Sequence, residues 1–260
     1  MLKNANAGGS RIRDGLLLPV RSVPLAFLAV IIFGAGLLML AVSRTGTDGD
    51  IVITAFFTAV SAVCVTGLVT VDTATFWTPF GQAVILGLIQ VGGFGIMTLA
   101  TLLALLVRKS IGLRGQLVAQ SETHTLNFGD VRSVLFRVAR IMAAFETATA
   151  LLLAARFWVA YDDNPATALW HGTFHAVSAF NNAGFGLYSD NLISFAEDPW
   201  IIIPICGAVI AGGLGFPVII QLFNRDTRIK NWSIHLRLTI YGTLLLLTAG
   251  ITRLQAEDKA

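Results

Sequence analysis

The chain has 260 residues, of which 55% are hydrophobic and only 13% charged, with a mean hydropathy of +0.74 and a formal net charge of +3. That balance excludes an ordinary soluble domain and places the chain in a membrane, with the lipid bilayer as its solvent. The basic surplus carries no stacking or base-reading pattern, so no nucleic-acid partner is expected.

In chain order, apolar runs near 24–43, 79–107, 136–160, 199–223 and 234–253 reach membrane-spanning length, about 20 residues. The first is too long for the apolar core of a signal peptide, and no clear small-residue cleavage site follows it. With the N-terminus in the cytoplasm, 14 of the 18 basic residues fall in the loops 1–24, 108–140 and 224–237. Asp48, Asp50, Asp72, Asp162, Asp163, Asp190, Glu197, Asp198, Glu257 and Asp258 fall on the other side. This is the positive-inside pattern of a multi-pass protein of the cell membrane.

Residues 51–63 are apolar but short. As a helix they cover about 20 Å, against a hydrocarbon core of about 30 Å. Acidic residues flank them on one side of the membrane, so the segment is read as re-entrant, with its non-helical return shielded from lipid. Residues 168–181 repeat the arrangement between Asp163 and Asp190.

The two segments are copies. F-T-A-V-S-A-V-C-V-T-G-L (57–68) and F-H-A-V-S-A-F-N-N-A-G-F (174–185) share six of twelve residues, including Ser61/Ser178 and Gly67/Gly184. A second glycine cluster follows each copy, Gly92-Gly93-Phe94-Gly95 and Gly212-Gly213-Leu214-Gly215. Internal repetition of this kind marks one structural unit arranged about an axis. The expected fold is all-α. A first span–pore loop–span repeat covers 24–107, a cytoplasmic linker 108–130 and a second repeat 131–224. The first span of an incomplete third repeat covers 234–253.

The chemistry sits where each half-helix ends. A permeating cation must exchange its water shell for oxygens at little net cost, and backbone carbonyls do this without the trapping strength of carboxylates. Aiming successive carbonyls at one axis demands backbone angles that glycine adopts most cheaply. The candidate ion-binding segments are therefore Val65-Thr66-Gly67-Leu68 and Asn182-Ala183-Gly184-Phe185. The negative end of each half-helix dipole favours a cation there. Asp72 lies four residues beyond the first loop and is the candidate for enriching cations at the outer mouth.

Glu146 lies midway along its span, where a carboxylate is costly. It is read as a clamp that supports a filter loop, with a direct functional role as the alternative. Arg156, near the outer end, is expected to snorkel. His171 and His175 have an i, i+4 spacing that suits zinc, but no third ligand is near. Packing or hydrogen bonding at the outer vestibule is expected, and no metal site. Cys64 and Cys206 are expected as small buried hydrophobes. The two glycine clusters either bend their helices, the second aided by Pro217, or let a half-helix approach closely.

V-S-A-V-C-V-T-G-L-V-T-V-D-T followed by G-L-I-Q-V-G-G-F-G-I-M-T resembles the first repeat of the Trk/Ktr/HKT potassium-uptake superfamily, closest to its Ktr membrane subunits. F-H-A-V-S-A-F-N-N-A-G-F followed by D-N-L resembles the second. The likeness runs from about residue 16 to 250. It implies four pore-loop repeats around one pore, with Gly67 and Gly184 as filter glycines and Val65, Thr66, Asn182 and Ala183 offering neighbouring carbonyls. Glycine in the first filter goes with potassium in this family, so the resemblance implies potassium as transported substrate and no tightly bound cofactor. It also implies a homodimer seated on a cytosolic ring of nucleotide-binding regulatory subunits. This chain holds two repeats and the start of a third, so it is expected to be a fragment of a longer protein, with pairing of two copies as the alternative. An ion-coupled secondary transporter with broken helices, and a non-conducting scaffold, stay open as other classes. The two repeats run in the same direction, which disfavours the transporter. No nucleophile–base pair or phosphate loop suggests an enzyme.

Overall fold

The computed structural model describes residues 24–46, 50–112, 128–223 and 234–257. Nine α-helices can be traced among them, and no strand, apart from one isolated bridge between Arg44 and Trp77. The basic loops at 1–23 and 224–233, and most of the linker, lie outside the described residues.

Helix α1 (Pro24–Leu38) stops short of the expected 43. The Ser43 hydroxyl donates to Leu37 O (2.7 Å), and a 3-10 turn over Ala41–Ser43 replaces the last helical residues. Helix α2 (Ile51–Val63) is the first half-helix, and Asp50 caps it by accepting from the Val52 and Ile53 N–H groups. A short α3 (Thr73–Phe76), capped by Asp72, leads into α4 (Pro79–Gly112). Helix α5 (Phe128–Ala160) is followed by the second half-helix, α6 (Pro165–Phe180), with Asn164 as its cap and Pro165 in its first turn.

The expected span 199–223 is divided. Helix α7 (Pro199–Leu214) ends at Gly215, whose φ of +78° is outside the helical region, and α8 (Phe216–Phe223) starts anew. Pro217 brings no N–H to the first turn of α8, so nothing favours continuation there. The first cluster behaves differently: α4 passes through Gly92–Gly95 without a break. Helix α9 (Ile234–Glu257) completes the chain.

Both short segments enter and leave by one end of the bundle. Thr78 N–H and its hydroxyl donate to Ser43 O and Val42 O, which joins the start of α4 to the end of α1. Arg156 Nε donates to Asp198 Oδ2 (2.7 Å), which joins the end of α5 to the start of α7. Helices α2 and α6 hang from those two junctions into the bundle. The buried core is correspondingly in two parts. Leu38, Ala55, Ala59, Ile85 and Ile89 centre one. Met142, Leu153, Phe157, Phe180 and Ile201 centre the other.

The outside is apolar. Ile32, Phe33, Leu151, Leu152, Val159, Trp200, Leu245 and Leu246 are all largely exposed. A water-soluble surface rarely carries this many large exposed apolar side chains. Two helices, over Pro79–Leu99 and Arg132–Ala160, are long and apolar enough to cross a membrane; α1, α2, α7 and Leu236–Gly250 are shorter apolar helices.

Candidate functional site

The two half-helices end in the same way, bond for bond. Cys64 N–H donates to Val60 O and Asn181 N–H to Val177 O, closing the last turn of each. The chain then reverses. Thr66 N–H donates to Ser61 O (2.9 Å) and Ala183 N–H to Ser178 O (2.7 Å). These bonds hold Val65 and Asn182 at φ of 56° and 57°, and Gly67 and Gly184 at 72° and 73°.

A left-handed backbone is cheap at glycine and tolerable at asparagine, but Val65 is β-branched. Such an outlier costs about 1–3 kcal/mol and persists only when its surroundings hold it. Here Ser61 does so twice, through its carbonyl and through its hydroxyl, which accepts from Thr66 Oγ1 at 3.0 Å. Left-handed residues alternate along each loop, so the carbonyls between them turn off the helical direction. The two loops lie side by side: a Cβ built on Gly67 comes within 2.5 Å of Ala183 O and 3.1 Å of Gly184 Cα.

The glycine clusters seat the half-helices. A Cβ on Gly92 would overlap the Val63 carbonyl at the end of α2, and one on Gly212 would overlap the Phe180 carbonyl at the end of α6. A Cβ on Gly93 would overlap Asn181 Oδ1. Each cluster lets a long helix touch the backbone where a half-helix stops.

Glu146, 8% exposed, joins three helices. Its Oε2 accepts from Gln90 Nε2 on α4 (2.9 Å), and its Oε1 accepts from Asn181 Nδ2 at the cap of α6 (3.1 Å). Asn181 immediately precedes the left-handed Asn182. Asp72 accepts from Ala74 N–H as the cap of α3, and Ser189 Oγ donates to its other oxygen. Asp72 and Ser189 are themselves repeat equivalents, 117 positions apart. The Ser189 bond, the largest influence, holds the Asp72 carboxyl below its ordinary range.

Several residues stand differently from the sequence reading. Both cysteines are exposed, not buried. The reason for Cys64 is its place in the repeat. Its counterpart Asn181 is only 4% exposed because Gln90 and Glu146 cover it, whereas no described residue covers Cys64 in the same way. The same contrast separates Leu68, 63% exposed, from Phe185, 3% exposed. Arg156 does more than snorkel: it pairs with Asp198, which also accepts from Tyr161 Oη and caps α7 through Trp200 N–H. His175 binds backbone through both nitrogens, Nδ1 to His171 O and Nε2 to Leu187 N.

Sequence reasoning passed over Gln90, Asn181, Ser178 and Ser189. Ser61/Ser178 was visible as a polar identity inside an apolar repeat, and Gln90 as one of two amides, with Gln82, in an apolar span. The Asp72–Ser189 contact left no signal beyond the repeat offset.

The TrkH family, described as cation transport protein, matches residues 23–252. The Ktr system potassium uptake protein B of Bacillus subtilis is 40% identical over 228 residues, covering 88% of this chain and 50% of its own. The potassium/sodium uptake protein NtpJ of Enterococcus hirae is 32% identical, covering 92% of this chain and 52% of its own. The Ktr system potassium uptake protein B of Vibrio alginolyticus is 34% identical, covering 88% and 50%. The chain spans about half the length of these curated relatives.

Proposed function

The chain belongs to the TrkH family of cation transport proteins and is an all-α, multi-pass membrane protein, and from that premise we propose that the protein it belongs to takes up potassium across the cell membrane. The loops 65–68 and 182–185 supply two segments of a carbonyl-lined filter, with Gly67 and Gly184 turning the backbone toward the ion path. Residues 24–107 and 131–224 are the two repeats that carry them, joined by a cytoplasmic linker at 108–130, and 234–253 opens a third. Asp72 stands at the outer mouth and Glu146 supports the second loop. The N-terminus lies in the cytoplasm. The assembly pairs as a homodimer in the bilayer, and the basic loop at 108–140 faces a cytosolic nucleotide-binding ring.

One observation carries this reading: two adjacent loops repeat the same left-handed pattern at Val65/Asn182 and Gly67/Gly184, each at the C-terminal end of a half-helix. The shape is cheap at the two glycines and tolerable at Asn182, but costly at the β-branched Val65, and its retention there supports a shared task for the two loops. Conduction needs no enzymatic step. A negative-inside potential gives each entering cation about 2.3 kcal/mol per 100 mV, enough to drive accumulation.

The test is growth of potassium-uptake-deficient bacteria at low external potassium. This chain and the full reading frame that carries it are expressed side by side, with membrane levels checked. Rescue by the full frame, lost on Gly67→Ser or Gly184→Ser, is expected. A well-expressed full frame that does not rescue growth, or rescue indifferent to both serines, would sink the proposal.

A further inference from the structure

The chain leaving the second loop is held at two points by one face of α6. Ser178 Oγ donates to Phe185 O (2.7 Å), and Leu187 N–H donates to His175 Nε2 (3.3 Å). His175 and Ser178 are three residues apart, so both teeth point the same way. The imidazole's protonation follows from its partners. Its Nδ1 faces the His171 carbonyl at 2.8 Å, and a carbonyl only accepts, so Nδ1 carries the proton. Nε2 is then left with a lone pair, which the Leu187 N–H needs.

The ring has little freedom. His175 is 4% exposed, and the rings of Phe157, Phe174 and Tyr188 pack around it. A Cβ on Gly186 would lie 3.5 Å from Nε2, so the ring edge abuts the outgoing backbone itself. The first repeat has no such device: Thr58 stands at the equivalent position, and Leu68 is open where Phe185 is buried.

We infer that His175 is a positioning residue that sets ion selectivity in the second loop, by holding Leu187 N–H and so fixing the backbone on the outer side of Gly184. This rests on the filter reading above. A loop tied at Ser178 alone is free to pivot about Phe185, and its carbonyls then accommodate cations of different radius less selectively.

The experiment measures the ratio of rubidium to sodium uptake by cells expressing the full reading frame, with membrane level matched by a fused fluorescent protein. His175→Gln keeps an acceptor near the Nε2 position. His175→Asn reaches only the Nδ1 position and leaves Leu187 N–H without a partner. His175→Leu keeps bulk without either. The asparagine and leucine variants are expected to lower the ratio about fivefold, the worth of one neutral hydrogen bond, while glutamine keeps it near the parent value. Equal ratios for glutamine and asparagine, high or low, would overturn the inference, and this pair decides even if the leucine variant does not reach the membrane. Gly184→Ser is run beside them. If it leaves both flux and ratio unchanged, the filter reading has failed; if it alters them while His175→Asn does not, only the role of His175 has.

Discussion

Gly67 and Ala183 meet so closely that a side chain on Gly67 would have to share space with the Ala183 carbonyl oxygen, 2.5 Å from the position of its Cβ. The obstacle is backbone, which cannot rotate away as a side chain does. Gly67 also sits at φ +72°, where alanine costs about 1–2 kcal/mol. Gly184 has nearly the same φ but a looser surrounding, with Gly67 Cα at 3.3 Å as the one neighbour of its Cβ among the described residues. Gly67→Ala is therefore expected to reduce rubidium uptake more than Gly184→Ala, in the full reading frame at matched expression. The opposite order would mean that the two loops do not abut in this way.

Glu146 holds two amides from different helices, and its removal strands the one on Gln90. Glu146→Leu leaves Gln90 Nε2 and loosens Asn181, and each buried donor without a partner costs about 1–3 kcal/mol. Asn181 keeps its bond to Val177 O, so the loss falls mainly on Gln90 and on the joint between α4 and α5. Glu146→Gln keeps one acceptor and turns an NH2 toward the other amide. The expected order of melting temperatures in detergent is parent, then glutamine, then leucine. A leucine variant as stable as the parent would show that the carboxylate is not a clamp.

The half-helices were legible in the sequence because length and flanking charge fix them. Thirteen apolar residues between Asp50 and Asp72 are too short to span, and the chain copies the arrangement at 168–181, where the half-helix runs Pro165–Phe180. The glycines were legible as a pattern, but their partners were not. That Gly92 faces Val63 O, and that Glu146 meets residues 56 and 35 positions away, depends on how helices pack. Cys64 shows the limit most plainly. Residue type alone suggested burial, yet burial at that site is decided by what lies over it. Asn181 has a neighbouring repeat's Gln90 above it, and Cys64 has no described counterpart. The division of α7 from α8 was readable from Gly215 and Pro217, whereas the similar cluster in α4 lies in a helix that stays whole.

Neighbouring glycines in one helix give a controlled comparison. A Cβ on Gly212 would overlap Phe180 O, but one on Gly213 meets no described atom within 4 Å. In the first repeat, Gly92 faces Val63 O while a Cβ on Gly87 meets no described atom within 4 Å. Overfilling a packed contact costs about 1–3 kcal/mol, whereas alanine in place of glycine at an open helical site gains about 0.5–1 kcal/mol. Gly212→Ala and Gly92→Ala are expected to lower the melting temperature, and Gly213→Ala and Gly87→Ala to hold or raise it. Four equal shifts would remove the close approach of long helix and half-helix from the account.

The pair Asp72–Ser189 ties the outer ends of the two repeats together and makes that tie sensitive to acid. The serine hydroxyl, with the N–H groups of Ala74 and Thr75, favours the ionised carboxylate, so the folded-state pKa lies below that of the unfolded chain. A carboxyl depressed on folding contributes stability that is fully present above its unfolded pKa, near 3.8, and is lost as pH falls through the lower folded value. Ser189→Ala removes the largest of those bonds. At pH 6 the variant is expected to melt below the parent, by a small margin because the site is largely open to solvent. As pH falls through the carboxylate range the margin should shrink, since protonation takes from the parent the same advantage that the mutation took from the variant. Asp72→Asn should already lack that advantage at pH 6, and adding Ser189→Ala to it should change the melting temperature less than Ser189→Ala does alone. Melting curves of the four proteins between pH 6 and 3 make the comparison. A margin that stays constant across the range would mean that Ser189 acts through packing and not through the charge on Asp72.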